Sequence, residues 1–179
     1  CIRDRAIPLY EKLIAQGFDN FESNFILGLC YEDQPDNEKA LKHYQKAVQF
    51  KNDNATCLFH LALIEKSFCM DSLSMAHFNQ SLEVSLPKDR ALRTYKWLAD
   101  LHFQHSRYAD AARDFELSIL YDEEDDPLNY YNAAQMFIAS KNKLKAKLYL
   151  QLFLANANRL EDKKEAAQLI SKAKEQLKQ

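Results

Sequence analysis

The chain has 179 residues and 24 basic against 26 acidic side chains, and its 47% apolar and 28% charged content is that of a soluble globular chain. With only 2 glycines and 4 prolines, a turn-rich β sandwich or barrel, a collagen-like chain and flexible linkers are excluded, as are the dinucleotide fingerprint and the P-loop. No apolar run approaches the roughly 18 residues of a membrane span and no secretory signal opens the sequence, so an all-α protein is expected.

In chain order, residues 1–5 (Cys-Ile-Arg-Asp-Arg) are what the codons TGT ATA AGA GAC AG(A/G) encode, the end of a transposon adapter used in sequencing libraries. They are expected to be non-native, against a rival reading of Cys1 as a mature lipoprotein cysteine. Residues 6–20 carry Ala6, Tyr10 and Leu13 at helical spacing, with Gly17 as a stop. Residues 21–54 predict two helices, one bearing Leu27, Gly28 and Tyr31, the other Ala40, Tyr44 and Ala47. Asp19-Asn20 and Pro35-Asp36 supply their N-caps. The same spacing returns in 55–91 (Leu58, Leu61, Ala62; Ser74, Phe78, Ser81), which includes a short insertion near Pro87, and in 92–126 (Tyr95, Leu98, Ala99, His102; Ala111, Phe115, Ser118). It returns again in 127–160 (Tyr130, Ala133, Ala134, Phe137; Ala146, Leu150, Phe153). Asp53-Asn54 and Asp125-Asp126-Pro127 stand where first helices begin. In 161–179, Ala166, Leu169, Ile170, Ala173 and Leu177 form one face of a polar-backed helix expected to cap the array.

This pattern resembles the tetratricopeptide repeat, whose period is 34 residues and whose signature is Trp, Leu, Gly, Tyr, Ala, Phe, Ala and Pro at positions 4, 7, 8, 11, 20, 24, 27 and 32. Departures include Asn24 at position 4, expected to weaken a packing contact, Asn52 at position 32, and Glu65 where Tyr belongs at position 11. The resemblance implies a right-handed superhelical solenoid of antiparallel helix pairs: four full repeats, a preceding orphan second helix and a capping helix. The orphan helix predicts an exposed apolar stripe at its end and suggests a C-terminal fragment of a longer chain.

In the family, first helices line a concave groove. Carried over, the groove candidates here are Phe25, Leu29, Phe59, Leu63, Arg93, Lys96, Asp100, Phe103, Tyr131 and Gln135. The implied function is a protein–protein interaction scaffold or adaptor binding a peptide or helix segment. The alternatives are a secretion- or assembly-type chaperone shielding an apolar client segment, and the recognition arm of an enzyme or sensor encoded upstream. The family's carboxylate clamp is largely absent, since Phe25 and Leu29 occupy its key positions. Its Asn ladder reads Ile26, His60, Trp97, Asn132.

Catalysis is not expected, and neither a cofactor, a metal nor a nucleic-acid partner is predicted. His43 and His77, both at position 23, are expected on a solvated convex face; His60, His102 and His105 have no Cys, Ser or Asp partner at catalytic or ligand spacing. The cysteines Cys1, Cys30, Cys57 and Cys69 form no ligand pair and fit a reducing compartment. A cytoplasmic location is expected, with a periplasmic or lipoprotein-anchored one as the alternative; the identity of the partner and the oligomeric state are not encoded legibly. Residues 122–126 (Asp-Glu-Glu-Asp-Asp) lack the spacing and turn glycine of a calcium loop and are expected to form a solvated turn. Residues 141–179 hold ten basic against four acidic side chains, a balance of +6, and residues 1–140 a balance of −8. The lysine series 141, 143, 145, 147 is expected to be a solvated face, with attraction of an acidic partner as the second reading.

Overall fold

Long segments of helical periodicity, free of internal glycine but for Gly28, leave the chain few alternatives to helix. The computed structural model describes residues 2–178, with side chains from residue 6 onward, so the expectation for residues 1–5 lies outside what it describes. In chain order the α-helices are α1 Ile2–Ala15, α2 Phe21–Asp33, α3 Asn37–Phe50, α4 Ala55–Ser67, α5 Asp71–Glu83, α6 Lys88–Gln104, α7 Tyr108–Leu120, α8 Pro127–Ala139, α9 Lys143–Asn156 and α10 Lys163–Gln176. A 3₁₀ turn, Ala157–Arg159, precedes α10, and the described residues contain no strand. The chain divides into a first unit, Cys1–Pro87, holding α1 to α5, and a second, Lys88–Gln179, holding α6 to α10.

Short polar side chains cap the starts of α2, α3, α4 and α8, whereas α5 and α7, behind Met70 and Arg107, have no side-chain cap. Asn20 Oδ1 accepts from Ser23 N at 2.9 Å, Asp36 Oδ1 from Lys39 N at 3.2 Å, Asn54 Oδ1 from Cys57 N at 2.9 Å and Asp126 Oδ1 from Leu128 N at 2.9 Å. Each such cap contributes about 1 kcal/mol. Pro127 occupies the first turn of α8, where no N–H is required.

Every turn inside a helix pair closes in the same way. The N–H of Asp36, Met70, Arg107 and Asn142 donates to the C=O five residues earlier, on Tyr31, Glu65, His102 and Phe137, at 2.8 to 2.9 Å. This is the six-to-one bond of the Schellman motif, and the residue before each donor must turn left-handed. Cys69, Ser106 and Lys141 take φ of 56°, 59° and 61° there. The turn after α1 follows the same plan with Gly17 at φ 96° and Phe18 N donating to Leu13 O at 3.0 Å.

Within the first unit, α2 pairs with α3 and α4 with α5, while α1 lies against α2 and α3 against α4. Leu27, Tyr31, Ala40, Tyr44, Ala47, Leu61 and Ile64 make the buried core. Gly28 is required by a close approach, because a Cβ there would lie 2.5 Å from the Tyr44 ring. The N-terminal apolar stripe is more covered than expected. Ile7, Tyr10 and Ile14 pack on this core, and among the described side chains of α1 Leu9, 56% exposed, is the large apolar one that stands clear. A hydrogen bond also ties α1 to α2: Tyr31 OH donates to Glu11 Oε1 at 2.6 Å.

In the second unit, α6 pairs with α7, α8 with α9, and α7 lies against α8. Ala99, Ala112, Phe115, Ala133, Ala134, Leu150 and Phe153 are buried together, and α10 adds Ala166 and Ala173 with Leu169, Ile170 and Leu177 beside them. Alanines dominate because helix axes that approach closely leave no room for longer side chains.

Candidate functional site

The first-helix faces come first. On α2, Phe25 and Leu29 sit one turn apart, each half-buried, with the Phe25 ring stacked on Phe21 at 5.5 Å. On α4, Leu63 is half-buried, but Phe59 is only 2% exposed, its ring tilted against Phe78 at 6.1 Å. Phe59 therefore fills core space and offers nothing to a ligand. The open apolar face of the first unit narrows to Phe25, Leu29 and Leu63.

In the second unit, Arg93, Lys96, Asp100 and Phe103 recur on α6 at intervals of three, four and three, which places them on one side of the helix. Arg93 and Asp100 are exposed, Lys96 is half-exposed, and the Phe103 ring is 43% exposed with one edge against Tyr108 at 5.4 Å. On α8 the two candidates are already engaged. Tyr131 is buried against Phe153 at 5.1 Å, and Gln135 exchanges two amide hydrogen bonds with Gln176 of α10, at 3.1 and 3.0 Å. A primary amide carries both donor and acceptor, so each glutamine gives and receives one hydrogen bond across this contact.

A second constellation was not anticipated. Positions 11 and 23 of each repeat, twelve residues apart, meet between the two helices of a pair. In the first repeat Tyr31 stacks on His43, centroids 5.6 Å apart and planes 11° apart. In the second, His77 Nδ1 lies 2.7 Å from Glu65 Oε2; in the third, His102 Nδ1 lies 2.6 Å from Asp114 Oδ2. In the fourth, Phe137 stacks on Tyr149 at 5.3 Å. A carboxylate oxygen can only accept, so each imidazole donates through Nδ1.

These pairs correct the reading of the histidines. His43 and His77 are half-buried and turned inward, not solvated, because position 23 faces the partner helix. His102 does have an acidic partner, twelve residues on. Glu65, 1% exposed, replaces the usual Tyr because His77 across the pair supplies a donor. Burial pushes the Asp114 carboxyl above its ordinary range, against the opposing pull of His102.

Asn24 is likewise no weak point. It is fully buried and satisfied: Nδ2 donates to Asp19 Oδ1 at 2.7 Å and to Asn20 O at 2.9 Å, and Oδ1 accepts from His43 Nδ1 at 3.0 Å. The Asn24 amide holds the Asp19 carboxyl below its ordinary range. His60 Nδ1 donates to Glu32 Oε2 at 2.9 Å, and Tyr44 OH donates to the same oxygen at 2.5 Å. Burial, then this bond, pushes the Tyr44 phenol far up, so it stays protonated and keeps donating.

These histidines point at carboxylates, an amide or a ring. Among the described residues no group of three or more His, Cys, Asp or Glu is placed to hold a metal ion, and no helix is long and apolar enough to cross a membrane. The acidic turn is more ordered than a solvated loop. Asp122 accepts from Asp126 N at 2.9 Å and from Asn129 Nδ2, while Asp125 pairs with Arg159 at 2.7 Å and accepts from Tyr130 OH. The signal for the pairs lay in the sequence as complementary types twelve residues apart, legible only once the facing of the two helices is known.

Comparison with known proteins agrees with this geometry. The family model described as Tetratricopeptide repeat matches residues 3–55. No protein of curated function matches. Among solved structures, MamA is similar at TM-score 0.72 and 16% identity, covering 88% of this chain and 90% of that one. PilF of Pseudomonas aeruginosa is similar at TM-score 0.65 and 16% identity, covering 98% of this chain and 86% of that one. PilW, a type IV pilus biogenesis factor, gives TM-score 0.63 and 16% identity, covering 98% of this chain and 78% of that one. At such identities the likeness establishes the fold, a helical solenoid of the tetratricopeptide type.

Proposed function

We propose that the chain, a helical solenoid of the tetratricopeptide type, is an interaction scaffold or adaptor whose first-helix faces bind a peptide or a helical segment of a partner. The α6 stripe carries this reading. One helix side presents Arg93, Lys96 and Asp100 beside the Phe103 ring, 43% exposed. A partly exposed aromatic ring can serve as an anchor, since covering the 43% of Phe103 still open gains about 1 kcal/mol. The flanking charges then orient what binds. In the first unit, Phe25, Leu29 and Leu63 form an apolar face without interleaved charge. That face supports a second reading, a chaperone that shields an apolar client segment.

A peptide-display selection against the chain tests the proposal, run beside a Phe103→Ala/Lys96→Ala variant. Phe59→Ala is unsuitable as the lesion because Phe59 is buried. An enriched motif that the variant loses, with its circular dichroism unchanged, supports binding on α6. Equal enrichment by the variant removes α6 as the site. Absence of any motif removes the scaffold reading.

A further inference from the structure

The basic end of the chain contains a cleft that the proposed function does not use. In the second unit, the turn from α8 into α9, the first half of α9 and the end of α10 enclose about 450 Å³. Ile138, 40% exposed, and the half-buried Leu177 line it with apolar surface over a floor of buried Ala146 and Leu150, and Lys141, Lys143 and Lys147 line it with exposed ammonium groups. Such a volume lies within the range of built binding pockets.

Two features decide what fits. Lys145, between the cleft lysines, is matched by Glu116 at 2.6 Å, whereas among the described residues no carboxylate forms an ion pair with Lys141, Lys143 or Lys147. Three like charges gathered over low-dielectric surface repel one another, and an incoming anion relieves that repulsion. The apolar lining, continued outward on α9 by Leu144 and Leu148 at 82% and 50% exposure, is idle against a mineral anion. The absence of an aromatic lining gives nucleic-acid bases nothing to stack on. A concave cleft holds a side chain, whereas a bilayer surface would meet a convex or flat face.

We propose that this cleft binds an acidic peptide segment that carries apolar side chains, one of which packs against Ile138 and Leu177 while its carboxylates meet the three lysines. The proposal shares with the scaffold reading only the premise that the ligand is a protein segment. It places that ligand away from the α6 stripe.

The test is fluorescence anisotropy on the full chain with two labelled peptides of about twelve residues, one alternating Glu and Leu, the other Lys and Leu. The acidic peptide is expected to bind and the basic one not, with affinity falling as salt is raised. Lys143→Glu/Lys147→Glu is expected to weaken binding about tenfold or more, while Lys12→Glu/Lys42→Glu, an equal change in net charge on exposed helix surface of the first unit, stays within about twofold. Phe103→Ala/Lys96→Ala is expected to leave this binding unchanged, which separates failure here from failure of the α6 reading. Equal loss in both charge-reversal variants, undiminished binding by Lys143→Glu/Lys147→Glu, or loss in the α6 variant overturns the proposal. So does capture by phosphatidylserine vesicles without peptide binding, or self-association that Lys143→Glu/Lys147→Glu abolishes without peptide binding.

Discussion

Replacing His102 by Leu removes the donor from a carboxylate that has almost no access to water. The Asp114 side chain is 6% exposed, its Oδ2 is 2.6 Å from His102 Nδ1, and its other ion-pair contact is Arg113 Nε at 3.7 Å from Oδ1. Breaking a buried pair from one side costs about 3–5 kcal/mol. Arg113 offsets part of this, so His102→Leu is expected to cost about 2–3 kcal/mol, and leucine leaves little cavity to confuse the result. Asp114→Ala strands only an imidazole N–H and is expected to cost about 1–2 kcal/mol. The double variant removes both polar groups and should lie within about 1 kcal/mol of the parent, a coupling of about 3 kcal/mol. Urea and thermal unfolding followed by far-UV circular dichroism read the cycle, and His102→Leu should lower Tm by about 5–10 °C for a chain of this size.

The pH dependence sharpens the test. Asp114 already has a raised pKa from burial, and without His102 it rises further. The folded variant then holds the proton more tightly than the unfolded chain, so its stability rises and its deficit shrinks as pH falls through the raised folded value. A His102→Leu cost under about 0.5 kcal/mol, a coupling near zero, or a deficit that widens on acidification refutes the account of position 11 meeting position 23.

Other outcomes follow from the packing. Gly28→Ala should cost about 1–3 kcal/mol in urea unfolding, because its Cβ would sit 2.5 Å from the buried Tyr44 ring, itself held by Glu32. Cys69→Gly and Ser106→Gly should each raise stability by about 0.5–1 kcal/mol, and add, since both residues hold a left-handed φ of 56° and 59°; a loss of stability in either removes the strain argument. Asp19 has a depressed pKa, so its bond to Asn24 stabilises above the unfolded value near 3.8 and is lost as pH falls through the lower folded one; Asp19→Asn should flatten the acid limb of the Tm profile. Truncation at residue 160 should expose the surface that Ala166 and Ala173 bury and raise binding of an apolar dye; unchanged dye binding would mean that α10 covers no core.

The amino-acid sequence by itself determined the helices and the pairing within them. Small residues at positions 8, 20 and 27, as in Gly28, Ala40 and Ala47, leave space only for closely packed antiparallel helices, and Asn20, Asp36, Asn54 and Asp126 mark starts through bonds made within three residues. Such information is local, so spacing alone reveals it. Which candidate side chains stay open was a tertiary matter. Phe25 and Phe59 hold equivalent positions, yet Phe25 is half-buried and Phe59 is buried on Phe78; Gln135 looks free until Gln176, forty-one residues on, takes both ends of its amide. The same holds for the polar pairs. Glu65 and Asn24 read as departures while each helix is considered alone, and become satisfied groups once the partner helix brings His77 and His43 within reach. A buried polar group is acceptable only where another chain segment completes its hydrogen bonds, and that completion exists only in the folded pair.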